Sequence, residues 1–190
     1  MKYEFLGYPE NFEKHPLEKL ISKYVKWGPV LDVGCGNGNL LSILKKDFEV
    51  EGFDISDIAV KLANKRGLNV KISDVNNFKT PKKFKTILLI GFLVLSKNPG
   101  EDLKKISKWL DQDGVIMLTI PNSTSPKTYY RLFKKGLYHF YFPSYFGFKN
   151  FLKENNFEVI KCVGAGKLSK IPVLDSVIFY IIKPKKSPSS

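Results

Sequence analysis

The chain has 190 residues, with 31 Lys and Arg against 18 Asp and Glu, a formal net charge of +13 and only two cysteines. That length supports one sizeable core and is too short for two ordinary domains. One cysteine, Cys35, lies inside a glycine-rich turn, which excludes a disulfide-stapled secreted fold and fits a reducing cytoplasm. No apolar run reaches membrane-spanning length, Met1-Lys2-Tyr3-Glu4 does not open a signal peptide, and His15 and His139 alone make no metal cluster.

In chain order, Asn11 to Lys26 carries Leu17, Leu20, Ile21 and Tyr24 at helical spacing and predicts an amphipathic first helix. A strand over 29–34 runs into the glycine turn Gly34-Cys35-Gly36-Asn37-Gly38 and a helix over 39–47. Glycines at 34, 36 and 38 let backbone N–H groups approach a ligand closely. The strand over 48–54 ends on Asp54, where a second parallel strand presents a carboxylate to ribose hydroxyls. A helix over 56–66 closes on Lys65-Arg66-Gly67, cations and then glycine, as the dipole and the C-cap favour. Strands are predicted near 69–73, 84–91, 113–120, 157–163 and 174–183, with helices over 100–110 and 144–155. The alternation predicts an α/β fold with a mostly parallel sheet covered on both faces. From Lys183 the chain is polar and broken by prolines, and 184–190 is expected to be a disordered basic tail.

The glycine pattern narrows the ligand. A dinucleotide fingerprint ends on a third glycine where this chain has Asn39, and no Gly-Lys-Ser/Thr follows to make a P-loop. Neither the turn nor Asn39-Leu40-Leu41-Ser42 holds a Lys or Arg to meet phosphate, and Asp32 repels an anion. A carboxylate there suits a cation, such as the sulfonium and α-amine of S-adenosylmethionine.

LDVGCGNGNLL resembles the first motif of the class I S-adenosylmethionine-dependent methyltransferases, and Val50 to Ser56 resembles their acidic second motif. Ser73-Asp74-Val75 resembles the third, Thr86 to Pro99 the fourth strand with its exit loop, and Gly114 to Asn122 the fifth strand. The similarity covers residues 28 to 182 in family order. It implies a Rossmann-like three-layer sandwich, with strands ordered 3-2-1-4-5-7-6 and the seventh antiparallel, as one methyltransferase domain over 1–183. It also implies that backbone at Gly34, Cys35 and Gly36 lines the methionine moiety, with Asp32 anchoring the loop or facing the amino group through water. Asp54 takes the ribose hydroxyls, Ile55 packs on the adenine, Asp74 accepts from its amine and Val75 flanks it. Gly91 gives a main-chain carbonyl to the amino group.

Transfer from a sulfonium asks mainly for in-line alignment of the acceptor, so a general base is optional. Where many relatives carry a Glu-His pair after strand four, this chain reads Phe92-Leu93-Val94-Leu95, and no catalytic residue is assigned. Acceptor candidates are Phe92, Tyr129, Tyr130 and His139; among its aromatic neighbours, His139 reads more readily as packed than as a base.

Residues 123–151 form an insertion crowded with Tyr and Phe, and Gly114 to Lys153 holds no acidic residue. In the family the corresponding segment often forms a lid over the acceptor. The first reading is a lid over a small or lipid-like molecule. The second is a membrane-peripheral patch, and the third an RNA platform through 127–153, which would make the protein an RNA-modifying methyltransferase. A noncatalytic S-adenosylmethionine-binding domain serving a partner is the remaining alternative. The lysines are spread along the chain and read more readily as a solvated surface than as a binding stripe.

Overall fold

The computed structural model describes residues 16–126, 128, 141, 143–165 and 171–185. Tyr129, Tyr130 and His139, nearly half of the expected lid and most of the expected tail lie outside the described residues. Seven strands form one sheet in the order β3-β2-β1-β4-β5-β7-β6, which is the order the resemblance implies. They are β1 (Val30–Val33), β2 (Val50–Asp54), β3 (Val70–Ile72), β4 (Phe84–Leu89), β5 (Leu110–Pro121), β6 (Phe157–Gly164) and β7 (Val177–Pro184). Pairings of β1 with β2 and β4, and of β2 with β3, are parallel, whereas β7 runs antiparallel to both β5 and β6. The described helices of more than one turn are α1 (Pro16–Tyr24), α2 (Asn39–Leu44), α3 (Asp57–Lys65), α4 (Pro99–Ser107) and α5 (Tyr145–Glu154).

The chain divides into two compact units. The first holds residues 1–90 and 109–114. In it β1 is buried along its whole length, as a central parallel strand must be. Leu41 of α2, Val60 and Ala63 of α3, Leu68 and Val70 pack with Cys35 into one apolar cluster. The end of β2 is fixed by rings: Phe53 stacks on Phe78 at 4.3 Å, and Trp109 meets both edge-on at 5.8 and 5.1 Å. The Lys65-Arg66-Gly67 signal performs as predicted, with Gly67 at φ +70° and its N–H donating to the Asn64 carbonyl.

The second unit holds residues 91–108 and 115–190. Pro99 opens α4, Glu101 and Asp102 occupy its first turn and Lys104 and Lys105 its last, in agreement with the helix dipole. Phe148 of α5 is fully buried and meets Tyr180 of β7 edge-on at 5.0 Å.

Several boundaries differ from the sequence expectation: the helix expected over 39–47 ends at Leu44, the strand expected over 84–91 ends at Leu89 and the strand expected over 174–183 begins at Val177. The helix expected over 100–110 ends at Ser107, and β5 begins at Leu110. The Trp109 carbonyl accepts the Phe84 N–H at 2.9 Å, so sheet pairing claims this stretch before the helical pattern runs out.

Candidate functional site

The glycine loop joins β1 to α2, and the fold fixes it from underneath. Gly34, Gly36 and Gly38 have φ of +73°, +55° and +74°, the left-handed region that glycine reaches without a Cβ penalty. Gly34 and Cys35 both donate their N–H to the Phe53 carbonyl, at 2.9 and 3.1 Å. Gly36 donates to Asp54 Oδ2 at 2.8 Å, and Gly38 to the Cys35 carbonyl at 3.0 Å. The expectation that these N–H groups face a ligand is therefore corrected: strand β2 and the loop itself consume them. The loop is no anion cradle of the P-loop kind, and its exposed crest at Gly34 offers backbone surface instead.

Asp54 closes β2 and holds two elements at once. Besides Gly36, it accepts the Ser56 N–H through Oδ1 at 2.9 Å, and Ser56 in turn caps α3 by accepting from Ala59. An ionised carboxylate has about four acceptor positions, so each oxygen keeps one for a ligand hydroxyl. Ile55, the next residue, is 51% exposed and carries apolar surface beside that carboxylate.

Asp74 nucleates its own turn. Its Oδ1 accepts the Asn76 and Asn77 N–H groups at 2.8 and 2.9 Å, and the Asn77 amide spans both oxygens at 3.0 Å. Oδ2 accepts that amide at 3.0 Å, and a carboxylate oxygen has room for a second donor. Val75 is buried, and Phe78, stacked on Phe53, holds the turn beside the end of β2.

Asp32 lies in β1, only 4% exposed. Burial, and then the charge of Asp54, push its carboxyl up to about 7. The Cys35 side chain points into the apolar cluster; a Cβ at Gly52 would lie 2.9 Å from its Sγ. Burial, then Asp32 and Asp54, drive that thiol far above the usual range, so it is a neutral packing group.

Two anchors escaped the sequence reading. Arg66, at the end of α3, donates Nη1 to the Asn37 carbonyl and to the Asn39 side-chain oxygen, and its own carbonyl accepts Lys45 Nζ at 2.9 Å. A cation does reach the loop, but it is bound to loop acceptors. Asn122, just past β5, is fully buried; its amide donates to the Val173 and Asp175 carbonyls and accepts from Thr124. The Pro-Asn sequence was visible; its distant partners were not.

In the second unit, Gly91 takes φ +72° and is followed by half-buried Phe92 and a 3₁₀ turn at Leu93–Leu95. Tyr141 donates its N–H to the Val94 carbonyl at 3.3 Å. Burial, and then Glu154, push the Tyr141 phenol well up, so it is a neutral hydrogen-bonding group at ordinary pH. Among the described residues no three His, Cys, Asp or Glu side chains gather to hold a metal, and no helix is long and apolar enough to cross a membrane.

Residues 9–162 match a family model described as a methyltransferase domain. A probable (S)-tetrahydroprotoberberine N-methyltransferase from Papaver bracteatum is 31% identical over 99 residues, 47% of this chain and 28% of that protein. The chain thus spans less than a third of that relative. A crystal structure of an S-adenosylmethionine-dependent methyltransferase, possible histamine N-methyltransferase, from Thermotoga maritima superposes with a TM-score of 0.71 at 20% identity, over 90% of this chain and 88% of that one. The plantazolicin methyltransferase BpumL, in complex with a monoazolic desmethylPZN analog and SAH, gives 0.68 at 18% identity over 93% and 87%.

Proposed function

We propose that this chain, which belongs to the methyltransferase-domain family, is a class I S-adenosylmethionine-dependent methyltransferase that transfers a methyl group directly to a small or lipid-like acceptor. The observation that carries the cofactor assignment is Asp54, clamped between Gly36 and Ser56 with one acceptor position left on each oxygen. That arrangement fits a ribose diol. Ile55 and Val75 supply apolar surface for the adenine, and Asp74 Oδ2 an acceptor for its amine. Gly34, Cys35 and Gly36 present backbone rather than N–H donors, which suits a cationic methionine moiety better than a phosphate. Asp32 supplies a carboxylate for that charge.

The donor brings an activated methyl group on sulfonium sulfur. The chain's work is to align the acceptor and exclude water. No strong base is required of the exit loop Phe92 to Leu95, and a neutral Tyr141 is suited to donate a hydrogen bond rather than remove a proton.

Calorimetry with S-adenosylmethionine and S-adenosylhomocysteine tests the cofactor site, and transfer from methyl-labelled donor into lipid, small-molecule and RNA pools tests the acceptor class. Binding with label passing to an organic-soluble or small-molecule product supports the reading. Label confined to RNA overturns the acceptor class, and no binding to either ligand by folded protein overturns the cofactor site.

A further inference from the structure

We infer that Arg66 is a positioning residue for the ribose carboxylate Asp54, acting through the outer side of the glycine loop; this rests on the cofactor reading above. Every residue involved belongs to the first unit. From inside, the loop is held by the Phe53 carbonyl and by Asp54 Oδ2, which accepts the Gly36 N–H. From outside, Arg66 Nη1 donates to the Asn37 carbonyl at 3.4 Å and to Asn39 Oδ1. Arg66 is the C-cap of α3, and Ser56, the N-cap of the same helix, donates its N–H to Asp54 Oδ1. Asp54, the loop, Arg66 and α3 therefore close a ring of contacts.

Three glycines at positive φ give this loop wide conformational choice unless both of its sides are held. The Gly36 N–H reaches Asp54 Oδ2 only while the loop lies over the end of β2, and that bond helps to orient the carboxylate that meets the ribose diol. A loop that lifts away releases this hold. Apparent affinity then falls with the fraction of molecules that keep the competent arrangement. Arg66 itself is exposed, so truncating it opens no cavity in the core. Its charge alone would act differently. A cation near the site disfavours the sulfonium of S-adenosylmethionine relative to the neutral thioether, whereas a lost positioning contact weakens both ligands alike.

The test measures S-adenosylmethionine and S-adenosylhomocysteine by calorimetry on wild type, Arg66→Ala and Arg66→Lys, with amide hydrogen exchange on the ligand-free proteins. The expected result is about a fivefold loss of affinity for both ligands in Arg66→Ala. Arg66→Lys, which keeps a cationic donor, should lie nearer wild type. The Gly36 and Gly38 amides should exchange about fivefold faster in Arg66→Ala, while the Leu31 and Val33 amides of buried β1 keep their protection. A gain for S-adenosylmethionine with S-adenosylhomocysteine unchanged would assign Arg66 a charge role, and equal acceleration of loop and β1 amides a merely structural one. Either result overturns the inference, as does an unchanged affinity for both ligands. Wild-type protein that binds neither ligand overturns the cofactor reading itself, whereas failure of this inference alone leaves wild-type binding intact.

Discussion

Asp54 Oδ2 accepts the Gly36 N–H at 2.8 Å across 18 residues of chain, so the carboxylate that would meet ribose also sets the shape of the glycine loop. Binding and loop geometry are therefore carried by one side chain. Removing it strips the loop of an acceptor and the ligand of two. Asp54→Ala is predicted to lower S-adenosylhomocysteine affinity by about a hundredfold or more, from charge-assisted bonds worth about 1.5–3 kcal/mol each. Asp54→Asn should fare little better, because its amide NH₂ must face either the Gly36 or the Ser56 donor. Calorimetry decides it: either variant binding within about threefold of wild type would contradict the ribose assignment.

Gly38 joins the loop to α2 at φ +74°, and a Cβ there would run into the Leu68 side chain and sit 3.2 Å from the Ala63 Cβ. Two costs combine in Gly38→Ala. The left-handed conformation costs about 1–2 kcal/mol for an L-residue, and overpacking adds about 1–3 kcal/mol. A destabilisation of about 2–4 kcal/mol is expected in denaturant unfolding. Gly67→Ala is the matched control, with a similar φ of +70° but nothing within 4 Å of its Cβ, and should cost only the conformational part. Equal losses at the two positions would show that the Leu68 contact is relieved without cost.

Much of the site was legible because its chemistry is local. Glycines at a turn, an acid closing a strand and a cation-glycine helix end announce themselves within a few residues, and Asp54 and Gly67 lie where those rules put them. What the sequence hides is which distant group answers each polar side chain. Arg66 read as a helix-end cation, yet its guanidinium reaches acceptors 27 and 29 residues away. Thr119 read as one more strand residue, and only the fold brings it to the Gly91 N–H. The end of α4 was misplaced for a related reason. Leu103, Ile106 and Leu110 keep helical spacing across the break, while the Phe84 to Trp109 bond that imposes the strand comes from elsewhere in the chain.

Asn122 is fully buried and satisfies the Val173 and Asp175 carbonyls with one NH₂ group, at 2.8 and 3.0 Å. Truncation leaves both carbonyls and the Thr124 donors without that partner in a dry setting. Asn122→Ala should therefore destabilise by about 2–4 kcal/mol, more than loss of one exposed hydrogen bond. Asn122→Asp, which keeps the acceptor and removes the NH₂, should be at least as damaging. Chemical denaturation measures both, and a cost below about 1 kcal/mol for Asn122→Ala would mean that water replaces the amide.

Asp32 sets a pH dependence whose sign follows from its environment. Its carboxyl is raised to about 7 from an ordinary value of 3.8, by burial first and by Asp54 second. The folded state therefore holds this proton more tightly than the unfolded state. The associated stability is fully present below about pH 4 and is lost as pH rises through about 7, with an upper bound of about 4 kcal/mol. Asp32→Asn should remove that pH-dependent part in ligand-free protein, which thermal unfolding between pH 5 and 8 reads against wild type. A cationic ligand reverses the preference, because the ionised carboxylate is the form it attracts. Affinity for S-adenosylmethionine should accordingly rise with pH through about 7 by up to about tenfold per unit, with a proton released on binding, and then level off. S-adenosylhomocysteine, which lacks the sulfonium charge, should show a shallower slope, and Asp32→Asn a flat one for both. Equal slopes for the two ligands in wild type would mean that Asp32 responds to the amine or to burial alone, and not to the sulfonium.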